Sequence, residues 1–167
     1  MNTLINSGPD DIVWIGLGDA ATGLLMSNTA GNGFLCKLGD LASKTKQGKD
    51  FMDVPEGAKC LVPVFLDENK NKLAALSSDA RLLLFTMDEL PVRPNGGVGV
   101  QLIALPDKIY LAAVAASDGK SLEVSGIKRK NRAEETLDAR MLKEFAGKRA
   151  QRGKVCDVGF RPDRLGS

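Results

Sequence analysis

Leu24-Leu25-Met26-Ser27-Asn28-Thr29-Ala30-Gly31-Asn32-Gly33-Phe34-Leu35-Cys36 is followed, 49 residues on, by Leu73-Ala74-Ala75-Leu76-Ser77-Ser78-Asp79-Ala80-Arg81-Leu82-Leu83-Leu84-Phe85. Both stretches read as a short apolar run, a small polar turn and a second apolar run, the pattern of two strands closed into a hairpin. A fixed period decides the fold before any single element does, because each repeat is one unit that buries its apolar face only against the next. Both copies continue alike: an acid-Leu corner (Asp40-Leu41, Glu89-Leu90) leads to a loop rich in Gly and base, then to Lys49-Asp50-Phe51-Met52-Asp53-Val54-Pro55 or Val100-Gln101-Leu102-Ile103-Ala104-Leu105-Pro106.

A third copy is expected at residues 115–124, offset 39 from the second, with Ser117-Asp118-Gly119 echoing the turn at Ser78-Asp79-Ala80. It continues through Lys128-Arg129-Lys130 into a short helix over 137–145, where Leu137, Met141, Leu142 and Phe145 fall at helical spacing. Gly147 is the expected C-cap. A basic loop over 148–154 and a final strand near 155–160 follow. A first strand pair is expected to begin at Ile12-Val13-Trp14-Ile15. Short strands, Gly or Asp turns and a period near 50 predict an all-β, propeller-like repeat of about three four-stranded antiparallel blades. The expected blades cover approximately residues 12–68, 70–116 and 117–163 of a domain spanning 12–167, with 1–11 as a flexible lead-in. Closed propellers have about four to eight blades, so the ring is incomplete. Three blades leave a strand edge and an apolar blade face uncovered, from which self-association is expected.

Composition narrows the chemistry. The 167 residues contain no His, which removes Ser-His-Asp and Cys-His catalysis and His-ligated zinc. Cys36, Cys60 and Cys156 match no clustered ligand spacing and read as reduced, buried thiols in a cytosolic protein. The longest apolar run, residues 109–116, is far short of the roughly 20 residues that span a bilayer. Residues 1–14 carry two Asp and no base, unlike a signal peptide. Tyr110, inside that apolar run, is expected in the core.

The net charge of +2 conceals an asymmetry: residues 120–167 hold 13 bases against 7 acids, a local +6. Such a segment points either to a polyanion partner or to a solvated face. Two nucleotide-like signals fail on spacing. Gly16-Leu17-Gly18-Asp19-Ala20-Ala21-Thr22-Gly23 has its third glycine two places late for a dinucleotide fingerprint, and no long helical pattern follows. Gly119-Lys120-Ser121 has Val114 where a phosphate loop needs its first glycine, and reads as a hairpin turn. Scattered carboxylates such as Asp50, Asp53, Glu134, Glu135 and Asp138 show no ligand spacing, so no catalytic or metal site is expected.

Asn32-Gly33-Phe34-Leu35-Cys36-Lys37-Leu38-Gly39-Asp40-Leu41, the loop Lys44-Thr45-Lys46-Gln47-Gly48-Lys49 and Gly147-Lys148-Arg149-Ala150-Gln151-Arg152-Gly153-Lys154 resemble the carboxy-terminal domain family of bacterial DNA topoisomerase IV A subunits, over roughly residues 24–161. The related gyrase domain is marked by a Gln-Arg-Arg-Gly-Gly-Lys-Gly box, to which Gln151-Arg152-Gly153-Lys154 is the nearest approach; its loss favours the topoisomerase IV branch over gyrase-like tight wrapping. The resemblance implies a β-pinwheel, a disc whose neighbouring blades exchange strands and whose basic rim binds and bends duplex DNA. It also implies a bacterial, cytoplasmic, nucleoid-associated protein that helps select supercoiled or linked DNA for strand passage in decatenation. The implied parent is an ATP-hydrolysing type IIA heterotetramer. Its cleavage tyrosine lies in the remainder of the A subunit, and ATP and Mg act through the B subunit.

Wrapping DNA on a rim requires cations spaced to meet phosphates and glycines that let the backbone approach closely. The candidate contacts are Lys44, Lys46 and Lys49 around Gly48; Arg93 before Gly96-Gly97-Val98-Gly99; Lys148, Arg149, Arg152 and Lys154 around Gly153; and the dense run Lys128, Arg129, Lys130 and Arg132. The alternative is a non-catalytic protein-interaction module whose basic rim is incidental.

Overall fold

The computed structural model describes residues 14–166. Among them, three antiparallel sheets form, and each of the first two takes one strand from the following repeat. The first hairpin is β1 (Gly23–Ser27) and β2 (Asn32–Lys37), closed at its far end by a 3-10 turn over Leu38–Leu41. β3 (Val64–Phe65) adds to β1, and β6 (Val100–Gln101), from the second repeat, adds to β2. The second sheet repeats this plan. β4 (Lys72–Ser77) and β5 (Arg81–Thr86) form its hairpin, β7 (Leu111–Ser117) adds to β4, and β10 (Lys154–Val155), from the third repeat, adds to β5. The third sheet is the hairpin β8 (Ser121–Lys128) and β9 (Asn131–Asp138) with β11 (Arg161–Gly166) on β8. It has three strands rather than the expected four, because β9 receives no exchanged strand on its outer edge among the described residues. No strand among them joins the third sheet back to the first, so the arc stays open.

The true phase of the third repeat differs from the expected one. Leu24, Leu73 and Leu122, each fully or nearly fully buried, stand 49 residues apart, and each pairs with the penultimate residue of the next strand: Cys36, Phe85 and Leu137. Ser117-Asp118-Gly119 has the chemistry of a hairpin turn, yet it connects β7 of the second sheet to β8 of the third. Asp118 organises this crossing by accepting the backbone N–H groups of Lys120 at 2.7 Å and Ser121 at 3.3 Å.

Alternation along each strand sends side chains to both faces of its sheet. Leu73, Ala75, Leu83 and Phe85 face the first sheet and join Leu25, Leu102, Ile103 and Leu111 in one core. Ala74, Leu76, Leu82 and Leu84 face the third sheet and meet Leu122, Val124, Leu137 and Leu142 in another. Deleting the side chain of one of these leucines costs about 2–5 kcal/mol. At the positions of the third sheet equivalent to Ala74, Leu76, Leu82 and Leu84 stand Glu123, Ser125, Glu134 and Thr136, of which only Ser125 is even half-buried. The face expected to be apolar and uncovered is therefore polar.

Three local expectations are also corrected. The helix α1 (Ala139–Glu144) starts later than expected because Leu137 belongs to β9, and because the Asp138 carboxylate caps it by accepting the N–H groups of Arg140 and Met141, both at 2.9 Å. It ends on Phe145 rather than Gly147, whose N–H instead donates to the Leu84 carbonyl across the sheet boundary. Tyr110 is 55% exposed rather than core, because it precedes β7 at the mouth of the second hairpin. Of the strand expected at residues 12–15, Ile12 and Val13 lie outside the described residues, as does the lead-in 1–11, and Trp14 and Ile15 form no strand. The segment 16–23 leads into β1, not into a helix.

Candidate nucleic-acid interface

The strand exchange determines where the basic loops lie. After the 3-10 turn at Met87–Glu89, the second repeat crosses to the first sheet: Val92 bridges Leu35 in parallel, and β6 pairs with Asn32 and Gly33. After α1, the third repeat crosses in the same way, with Ala146 bridging Leu84 and β10 pairing with Arg81 and Leu82. The loops carrying Arg93 and Lys148 to Lys154 thus occupy equivalent places along the outer edges of successive sheets. The close fit depends on glycine, as two positions show. A side chain at Gly96 (φ 76°) would place its first carbon 1.8 Å from the Phe51 carbonyl oxygen, and at Gly153 (φ 73°) 2.8 Å from that of Leu82.

The twelve candidate cations separate into two groups. Several are committed to the protein itself. Arg152 forms an ion pair with Asp79 and also donates to the Ala104 carbonyl at 3.4 Å. Arg149 uses its backbone N–H on the Glu89 carboxylate at 3.0 Å and its guanidinium on the Gln101 carbonyl at 2.7 Å, tying the third repeat's loop to the second repeat. Arg132 pairs with Asp163 at 3.0 Å and donates to Ser125 Oγ at 3.0 Å, bracing β9 against β11. Lys49 donates to the Asp40 carbonyl at 3.1 Å and lies 4.9 Å above the Phe51 ring.

The others point into solvent. Lys44, Lys46, Arg93, Lys148 and Lys154 are exposed on the rim loops, and Lys128, Arg129 and Lys130 are exposed at the β8–β9 turn. Their side chains make no hydrogen bond or ion pair among the described residues. The Lys44–Lys46 loop is held by its own hydroxyls: Ser43 Oγ accepts the Thr45 N–H at 3.1 Å, and Thr45 Oγ1 donates to the Gly48 carbonyl at 2.9 Å. The turn run Lys128 to Lys130 belongs to none of the exchanged loops. It occupies the hairpin end that corresponds to the turns at residues 28–32 and 77–81.

Asp79, which composition does not single out, is the organising residue of the third loop. It accepts from Ser77 Oγ at 2.5 Å, pairs with Arg152 and lies 3.6 Å from Arg81 Nε, while Arg81 Nη1 donates to the Gly153 carbonyl at 3.2 Å. Burial pushes the Asp79 carboxyl up, but the hydrogen bonds from Ser77 and Arg152 and the charge of Arg152 outweigh it and hold the group below its ordinary value. No sequence signal joins Asp79 to Arg152, 73 residues away. Burial, with Asp40 and Asp157 beside them, pushes the Cys36 and Cys156 thiols up to about 11. Among the described residues no group of three or more His, Cys, Asp or Glu is placed to hold a metal ion, and no helix is long and apolar enough to cross a membrane.

No protein-family model matches the chain. Individual relatives do. The A subunit of DNA topoisomerase 4 from Haemophilus influenzae is 33% identical over 144 residues, covering 82% of this chain and 19% of the relative. Its counterpart from Rickettsia felis is 30% identical over 158 residues, covering 94% of this chain and 20% of the relative. Among solved structures, the E. coli ParC C-terminal domain superposes with a TM-score of 0.77 at 26% identity, covering 89% of this chain and 61% of that one. The chain is homologous to the C-terminal domain of topoisomerase IV A subunits. A gyrase A C-terminal domain shares the fold, with a TM-score of 0.66 at 14% identity over 86% of this chain and 47% of that one. The topoisomerase IV likeness bears out the expected β-pinwheel, and the exchanged strands β6 and β10 are its structural mark. The chain spans about a fifth of the length of the topoisomerase IV A subunits it matches.

Proposed function

We propose that this chain is a DNA-binding and DNA-bending module of a topoisomerase IV A subunit, working through the rim on which successive repeats place Lys44 and Lys46, Arg93, and Lys148 and Lys154. The observation that carries the reading is the repetition: exposed cations recur in corresponding loops of successive repeats, and those of the second and third repeats lie at equivalent sheet edges, while the neighbouring Arg149 and Arg152 are consumed in fixing one loop. Point charges held at regular intervals along a curved edge neutralise phosphates without reading bases, and favour DNA that follows the curve.

Within the larger enzyme, such a module helps present supercoiled or linked duplexes for strand passage. The cutting tyrosine then lies elsewhere in the A subunit, ATP and Mg act through the B subunit, and the protein works in the bacterial cytoplasm at the nucleoid. The test is fluorescence transfer between dyes at the two ends of a short duplex, with the chain added at about 50 mM salt. Increased transfer on binding supports a bending rim; binding with unchanged end-to-end distance removes the bending claim. Absence of binding removes the reading.

A further inference from the structure

The third hairpin departs from the other two. Counted from Leu24↔Cys36, Leu73↔Phe85 and Leu122↔Leu137, the first two hairpins add three more residue pairs before opening into five-residue turns. The third adds six pairs, ending at Lys128↔Asn131. The extra pairs extend its ribbon by about 10 Å. Only Arg129 and Lys130 remain to make the turn, and both have positive φ, 48° and 72°. A two-residue turn with both central residues left-handed is the type that selects Asn-Gly, and long basic side chains are strained there. Strain of this kind persists where surrounding structure over-determines it.

The ribbon is firmly supported. β11 pairs with β8 as far as Ile127↔Arg161, Arg132 braces β9 to Asp163, and the Arg161 guanidinium donates to the Ser78 carbonyl. Beyond that brace the tip presents Lys128, Arg129 and Lys130, all exposed. At its base, Ile127 (59% exposed) and Tyr110 line an open cavity of about 390 Å³ with Ser78, Ala112, Arg161 and Pro162. The corresponding turns of the first two hairpins carry no exposed cation: residues 28–32 are Asn-Thr-Ala-Gly-Asn, and residues 77–81, Ser-Ser-Asp-Ala-Arg, hold a single base, Arg81, which is half-buried and engaged with Asp79 and the Gly153 carbonyl.

We infer that the β8–β9 hairpin is a second duplex-DNA contact, separate from the rim, whose tip meets phosphates bordering a groove while Ile127 and Tyr110 lie against the sugar edge. A two-stranded ribbon fits the major groove of B-form DNA, and three consecutive cations at its end match closely spaced phosphates. The inference rests on the proposed DNA binding and adds a site to it. The bases of this run therefore extend the footprint onto the hairpin-turn side of the disc.

The variant Arg129→Asn/Lys130→Gly tests it without a folding ambiguity, because it installs the residues the turn geometry prefers while removing two cations. The expected result is an unfolding midpoint equal to or above that of the parent, together with weaker duplex binding and a fall of about 1.8 in the magnitude of the slope of log K against log salt, about 0.9 per lost phosphate contact. A correctly folded variant that binds with the parent's affinity and slope overturns the inference and leaves the rim reading intact. A parent chain that binds no duplex overturns both.

Discussion

Arg152, on the loop that the third repeat lends to the second sheet, forms an ion pair with Asp79 at the turn of the second hairpin, and the two side chains are only 30% and 29% exposed. The pair closes the exchange between neighbouring blades: Arg81 on the same turn donates back to the Gly153 carbonyl, and Arg152 also reaches the Ala104 carbonyl. In the Gln151-Arg152-Gly153-Lys154 segment, the arginine is thus a structural fastener, whereas Lys154 is exposed to solvent.

Arg152→Ala is expected to lower stability by about 1–2 kcal/mol, the range for a half-buried charged hydrogen bond. Asp79→Asn should cost a similar amount, and the double variant little more than either alone, because each single change already breaks the contact. The checks are denaturant unfolding for stability and the salt slope of DNA binding, which Arg152→Ala should leave unchanged. The pair also carries a pH dependence. The folded Asp79 carboxyl is held below its ordinary value, so its contribution is complete above the normal carboxylate range near pH 4 and is lost as pH falls through the depressed folded value. Asp79→Asn should flatten that part of the acid unfolding profile.

Lys148→Gln combined with Lys154→Gln removes two exposed rim charges without touching Arg149 or Arg152. Unfolding should be nearly unchanged, since exposed cations contribute little to stability. The slope of log K against log salt should lose about 0.9 in magnitude for each contact removed.

The hairpins at residues 24–36 and 73–85 were legible because apolar runs flank turns containing Asn, Gly, Ser and Asp. The third hairpin was not, because Arg129-Lys130 carries none of the residues that announce a turn, whereas Ser117-Asp118-Gly119 carries them all and joins two different sheets. The exchanged strands Val100–Gln101 and Lys154–Val155 are two residues long, too short for any period to be seen. Which cations are free also escapes a sequence: Arg132, Arg149 and Arg152 look identical to Lys128 and Lys148 until Asp163, Gln101 and Asp79 are brought beside them.

The outer face of the third sheet should keep further blades off it. Glu123, Ser125, Glu134 and Thr136 occupy the places of Ala74, Leu76, Leu82 and Leu84, so apolar stacking on this face has nothing to bury. The chain is expected to sediment as a monomer. Glu123→Leu combined with Thr136→Leu should create an apolar strip and drive concentration-dependent association, measured by sedimentation.

Thiol labelling reports the same packing. Cys36 and Cys156 are buried and their thiols are raised to about 11, so neither provides appreciable thiolate at pH 8. A maleimide probe should reach Cys60, which is only partly buried, well before the other two, and denaturant should make all three react together.

Duplex binding as a function of salt, measured by fluorescence anisotropy on the unmodified chain, tests the central claim most directly. Eight of the candidate cations point into solvent, five on the rim and three at the β8–β9 tip, and engagement of the rim alone predicts a slope of log K against log salt of about −4.5. A slope near zero, or no detectable binding at about 50 mM salt, would contradict it.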